Sequence, residues 1–163
     1  MNPRFIDFYM DIAARTAELS RANRLQVGAV VVKDEKIISF GYNGTPAGWD
    51  NNCEDKVYMD NNAGGWLSIE DIQSQWPYED SIGRYTLKTK TIVLHAERNA
   101  LDKLAKSVES GENALLFVTH SPCLECAKSI YGSGIKEVYY RINYRSKEGI
   151  EFLNRCGILV HQV

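Results

Sequence analysis

No stretch of this sequence approaches the roughly 20 consecutive apolar residues that a membrane-spanning helix needs, so no membrane contact is expected. The first twenty residues hold no leader-like apolar segment either, because Asp7, Asp11 and Arg15 interrupt Phe5, Phe8 and Ile12. Basic tracts are also missing: 19 Lys and Arg stand against 21 Asp and Glu, a net charge of −2. Nucleic-acid binding rests largely on phosphate neutralisation, so this balance argues against such a partner. Cysteine is scarce, at four residues. Two of them share a C-x-x-C, which points to metal use in a reducing, cytoplasmic setting and away from a disulfide framework. Internal repeats and low-complexity tracts are absent as well.

What remains is a chain of 163 residues with 44% hydrophobic content, enough for one compact domain over residues 1–163 with a sizeable core. Phe5, Phe8, Tyr9, Ile12, Ala13, Thr16 and Leu19 recur at helical spacing and predict a first helix. Gly28 to Val32 is a continuous β-branched run, as in a strand buried on both faces. The polar turn Asp34-Glu35-Lys36 leads into a second strand from Ile37 to Tyr42, so the two are expected to pair as a hairpin. Helices are expected over Leu94–Leu104, from Pro122 and over Ser146–Arg155, with strands over Ala114–Thr119, Glu137–Arg141 and Ile158–Val163. Such alternation predicts an α/β fold, a three-layer α/β/α domain. Residues 47 to 91 fit none of this. They form an insertion rich in Gly, Asn, Asp and Tyr that holds Trp49, Trp66 and Trp76. A connection that long is uncommon unless it is functional or flexible; a lid, an oligomer contact or a regulatory surface are the functional readings, and the plainest is an ordered loop packed by its own tryptophans.

The chemistry concentrates in His95-Ala96-Glu97 and Pro122-Cys123-Leu124-Glu125-Cys126, whose metal-binding residues begin 28 positions apart. One imidazole and two thiolates make a three-ligand zinc site and leave a fourth position for water, the pattern of a catalytic zinc. Pro122 suits a first helical position, which would place Cys123 and Cys126 in the first turn of a helix. Helix N-termini favour thiolates, the form that binds metal. Zinc lowers the pKa of its water towards ~7, and the resulting hydroxide is expected to attack C4, the amine-bearing carbon of a base. Glu97 would take the water's proton and deliver it to the ring nitrogen and then to the departing ammonia. The pairing of H-x-E with P-C-x-x-C is a signature of zinc-dependent nucleobase deaminases. A closed zinc knot without chemistry would need a fourth ligand. Cys53 and Cys156, with His161 or His120, are the candidates for a second site, against the plainer reading of two unpaired, packed thiols.

With both motifs in place, the sequence resembles the cytidine and deoxycytidylate deaminase superfamily, and most of all its deoxycytidylate (dCMP) deaminases. The supporting stretches are Ser20 to Ala29, Gly41-Tyr42-Asn43-Gly44-Thr45-Pro46, His95 to Ala100, Val118 to Lys128 and Ser133 to Val138. The resemblance implies a cytidine-deaminase-like fold with a central five-stranded mixed sheet. It implies one Zn2+ per subunit on His95, Cys123 and Cys126, with Glu97 as proton shuttle. It implies that Asn43 bonds the substrate sugar and that the backbone at Ala96 and Ser121 holds the base edge. A nucleoside monophosphate also needs phosphate donors, and the candidates, of which at least one is expected to serve, are Arg21, Arg24, Tyr144 and Arg145, since Arg fits phosphate as a planar fork. Asn43-Gly44 can equally be plain turn chemistry. The implied reaction is hydrolytic deamination of dCMP to dUMP and ammonia, supplying dUMP for thymidylate synthesis. The implied assembly is a homohexamer in which the loop Gly41, Tyr42, Asn43 and Gly44 receives allosteric dCTP or dTTP with Mg2+.

Two readings compete. A tRNA adenosine deaminase carries nearly the same zinc motifs but would want a basic face for its RNA. A catalytically idle zinc module, acting as a binding partner, would have no need of Glu97.

Overall fold

In the computed structural model, residues 1–60 and 67–163 are described, and Trp66 therefore lies outside the described residues. Strand β1 (Gly28–Lys33) is buried along all but its last residue, as its β-branched run predicts. Its neighbour β2 (Lys36–Tyr42) returns antiparallel through a tight turn in which Asp34 and Glu35 both take positive φ. That is the backbone a two-residue hairpin requires. The central sheet runs β2-β1-β6-β7-β8, with β6 at Leu115–His120, β7 at Glu137–Ile142 and β8 at Leu159–Gln162. β1 pairs antiparallel with β6, whereas β6, β7 and β8 are parallel, so the five-stranded sheet is mixed as expected.

Side chains of β1 alternate between two cores. Val30 and Val32 meet Tyr9, Met10 and Ala13 of helix α1 (Pro3–Ala17) on one face. Ala29 and Val31 meet Ala96, Ala100 and Leu101 of α3 (Ala96–Leu104) on the other. Helices α4 (Leu124–Gly132) and α5 (Glu148–Arg155) join that second layer through Ala127, Ile130 and Leu153. Two glycines set how close the helices come. A Cβ on Gly28 would lie 2.1 Å from the Ala13 carbonyl oxygen, and one on Gly41 would lie 2.3 Å from that of Ala96. Any side chain at either position would push a helix off the sheet.

Much of the insertion over residues 47 to 91, for which a loop packed by its tryptophans is the plainest reading from sequence, forms a second, three-stranded antiparallel sheet. Its order is β3-β5-β4, from β3 (Glu54–Tyr58), β4 (Tyr78–Glu79) and β5 (Arg84–Thr89), with helix α2 (Ile69–Gln75) between β3 and β4. Tyrosines provide the ring packing: Tyr85 lies 5.5 Å from both Tyr58 and Tyr78, centroid to centroid, while Trp49 is exposed. Such cross-strand aromatic pairs stabilise a sheet that lacks a continuous apolar face. Among the described residues no helix is long and apolar enough to cross a membrane.

Candidate active site

His95 and Cys123 each stand at the N-cap of a helix, α3 and α4 respectively, in extended backbone. Neither side chain caps its own helix, so both are free to turn towards one another. Pro122 therefore precedes the cap and does not occupy the first helical position. The physical reason is Cys123 itself, whose ψ of 167° delays the helix until Leu124. Cys126 follows within the first turn and is buried. His95 Nδ1 lies 3.5 Å from Cys123 Sγ and 3.4 Å from Cys126 Sγ, and the three ligand atoms fall within 4.8 Å of one another. Two ligands of a tetrahedral zinc, at bond lengths of about 2.0 and 2.3 Å, would be ~3.6 Å apart. The donor set and its spacing thus fit zinc. Among the described residues it is also the one grouping of three or more potential metal-binding side chains.

Local electrostatics hold Cys123 ready as a thiolate, the form that binds metal. A hydrogen bond from Cys126 draws the Cys123 thiol down to about 4, against the cost of burial and with help from His95. Cys126 itself is pushed up, chiefly by sharing that hydrogen bond and by burial. The imidazole of His95 is raised, first by its bond to Cys123. Glu97 is only 5% exposed, and burial pushes its carboxyl up to about 7. A carboxyl poised there can both accept and release a proton at neutral pH.

These groups open into a cavity of about 440 Å³, a volume suited to a small molecule. His95, Ala96, Glu97, Ser121 and Cys123 line it, and so do Asn43, Arg24, Tyr144 and Arg145. Arg21 does not; it is exposed on the loop ahead of β1. Asn43 is not in a turn of the Asn-Gly kind, since neither it nor Gly44 takes positive φ. Its carboxamide instead holds the preceding loop: Oδ1 accepts the Val27 N–H at 2.8 Å and Nδ2 donates to the Leu25 carbonyl at 2.8 Å. Ser121 donates its N–H to the Ile142 carbonyl and accepts the Tyr144 N–H at Oγ, which ties the cysteine loop to the segment carrying Tyr144 and Arg145. Of the proposed effector loop, Gly41 is taken up by the approach of α3, and the Tyr42 carbonyl accepts from Asn99.

Thr89, which sequence reasoning missed, lines the cavity from β5 and accepts from Arg24 Nη1 at 3.2 Å. No motif marks it; only the unforeseen second sheet brings it there. His120 also lines the cavity, its Nδ1 3.0 Å from Thr119 Oγ1 and its pKa lowered by burial. Cys53 packs with Ala22 and Val93, and Cys156 ends α5. His161 stacks on Tyr139 in the edge strand β8.

The model of the cytidine and deoxycytidylate deaminase zinc-binding region matches residues 3–142. The chain belongs to this deaminase family. Among the family's members, it is 35% identical to the deoxycytidylate deaminase of Enterobacteria phage T4, covering 94% of this chain and 87% of that one. It is 33% identical to ComE operon protein 2 of Bacillus subtilis, over 96% of this chain and 69% of the relative. In three dimensions it is similar to a dCMP deaminase from cyanophage S-TIM5 crystallised with dCMP and dUMP. That match has a TM-score of 0.78 and 38% identity, covering 100% of this chain and 99% of that one.

Proposed function

We propose that this chain is a hydrolase that deaminates dCMP to dUMP and ammonia, supplying dUMP for thymidylate synthesis. The observation that carries the reading is a single cavity lined both by His95, Cys123 and Glu97, with Cys126 buried behind them, and by Arg24, Tyr144 and Arg145. A pyrimidine nucleoside monophosphate presents an aminated ring and a phosphate in one molecule, and so matches both sets of groups. The phage relatives named for this activity, and the cyanophage structure with dCMP and dUMP, support the same assignment.

Zinc held by His95, Cys123 and Cys126 would supply the Lewis acidity that makes water nucleophilic at neutral pH. Glu97 takes one proton of the attacking water and hands it to the ring nitrogen, then takes the second from the oxygen now bonded to C4 and hands it to the nitrogen that leaves. One C–O bond forms, one C–N bond breaks, and the products are dUMP and ammonia. Burial keeps bulk water from competing for that proton. Ala96, the first residue of α3, has an N–H without an intrahelical partner and can meet the base edge. Ser121 has already used its N–H, so the base meets its carbonyl. Asn43 shapes the wall beside the sugar, and the guanidinium groups of Arg24 and Arg145 receive the phosphate.

The finer reading extends to a homohexamer regulated by dCTP or dTTP with Mg2+ at Gly41, Tyr42, Asn43 and Gly44. Its support is the sequence of that loop. Gly44 bonds Leu94 in both directions, so an effector there would meet chiefly the ring of Tyr42.

The test is ammonia release by the zinc-loaded protein from dCMP, dCTP, deoxycytidine and an adenosine-containing tRNA hairpin, each with and without dCTP and magnesium. Turnover of dCMP is expected, with stimulation by dCTP if the loop is regulatory. Turnover of the hairpin alone would overturn the assignment in favour of RNA editing, and inactivity on all four would leave a binding module.

A further inference from the structure

Glu54 and Thr89 form one rung of the second sheet, directly opposed across the β3–β5 pair, which places both side chains on one face. From that rung both reach Arg24. Glu54 Oε1 accepts the backbone N–H of Asn23 at 3.1 Å and that of Arg24 at 3.2 Å. Thr89 Oγ1 accepts from the Arg24 guanidinium at 3.2 Å. Arg24 is thus held at its main chain and at its head group by a single rung, more than sixty residues further along the chain in the case of Thr89. Among the described residues no carboxylate pairs with the Arg24 guanidinium, so its remaining N–H donors are open to the cavity it lines.

Glu54 is out of place by ordinary rules. It is 5% exposed, on a strand whose next three residues are exposed, and its Oε2 is enclosed without a hydrogen-bond partner among the described residues. Burying a carboxylate is costly unless it is well paired. What this one achieves is to fix the turn at Asn23 and Arg24. Beside that turn, Ala22 packs on Cys53, the residue before Glu54, and on Val93.

We propose that Glu54 is a positioning residue that, together with Thr89, sets Arg24 at the cavity wall so that its guanidinium meets the substrate's 5′-phosphate. The second sheet is then the device by which the site selects a nucleotide over a nucleoside. This inference rests on the reading of the cavity as a nucleoside monophosphate site.

The test measures kcat and KM for dCMP, and Kd for dUMP by calorimetry, in zinc-loaded wild type, Glu54→Ala, Glu54→Gln, Thr89→Val, Arg24→Ala and the double variant Arg24→Ala/Glu54→Ala. Loss of a hydrogen-bonded charged group of this kind corresponds to about tenfold in affinity. Glu54→Ala is therefore expected to raise KM and Kd by about that factor with kcat nearly unchanged. Glu54→Gln keeps an oxygen acceptor for both N–H groups and should restore KM. In the Arg24→Ala background, Glu54→Ala should add nothing, because it acts only through Arg24. Independent, additive effects, or a fall in kcat at constant KM, would overturn the proposal. If Glu54→Ala melts early or fails to fold, Thr89→Val decides: a higher KM at wild-type melting temperature supports the positioning role, and an unchanged KM removes it. If wild type fails to turn over dCMP, the functional reading is lost, and the dUMP affinities still judge the role of Glu54. A wild type that binds neither nucleotide would end both.

Discussion

His95 and Cys123 occupy equivalent positions on two helices: each is an N-cap with φ of −72° and ψ above 150°, and their ligand atoms approach to 3.5 Å. A residue at that position usually spends its side chain on the first helical N–H groups. Here the cap backbone is kept while the side chains are released to a shared metal position. The two helix N-termini add positive potential beneath the thiolates.

Metal content follows from that arrangement. Cys123→Ser and His95→Ala should fall well below the roughly one zinc per chain expected of a three-ligand site, as read by elemental analysis after dialysis. Deaminase activity should fall with it. Stoichiometric zinc in either variant would remove that residue from the ligand set.

Glu97 separates chemistry from metal binding. Glu97→Gln should keep zinc and fold but lose activity by about 10²- to 10⁴-fold, the usual contribution of a positioned acid–base group. Its melting temperature should not drop, because the buried carboxylate it replaces is strained towards protonation by its surroundings. Near wild-type turnover in the variant would end the proton-shuttle assignment.

Asn43 carries structure as well as any contact to substrate. Asn43→Ala strips the Val27 N–H and the Leu25 carbonyl of their partner at once. Leaving such groups unsatisfied costs about 2 kcal/mol, which in a domain of this size lowers the melting temperature by roughly 5 °C. Calorimetry should record that loss alongside a higher KM. A stable variant with only a kinetic defect would mean that the loop holds without the carboxamide.

How far the sequence revealed this molecule depends on where each residue's partners lie. β1 was legible because Val30, Val31 and Val32 are buried on both faces, and a continuous apolar run is the mark of that environment. The metal ligands were legible because a helix start fixes Cys123 and Cys126 relative to each other by local geometry. The second sheet was not. Its strands, Glu54–Tyr58 and Arg84–Thr89, mix charged residues with aromatics and show no clean alternation of burial. They are held by tyrosine pairs and by Lys56 on Asp80, contacts that exist only after the strands meet. Glu54 could not be recognised as buried, because the N–H groups that bring it inside belong to residues thirty positions earlier.

Asp80 gives that second sheet a defined response to acid. Its Oδ2 accepts from Lys56 Nζ at 2.6 Å and from the Tyr58 hydroxyl at 3.0 Å, while Oδ1 accepts the Ile82 N–H at 3.0 Å. These bonds, the lysine first, hold its carboxyl down at about 2. An aspartate in an unfolded chain titrates near ~3.9, so the folded value is depressed. The stabilisation from the charged form is therefore complete above that unfolded value, and it disappears as pH falls towards about 2. The carboxyl-carbon NMR signal of Asp80 should stay flat from neutral pH down through pH ~4, where an ordinary aspartate is half protonated. Lys56→Met should bring the midpoint back up towards that ordinary value and weaken the pairing of β4 with β5, read as faster amide exchange at the Asp80 to Gly83 turn. A wild-type midpoint near ~3.9 would show that the lysine does not hold the carboxylate in solution.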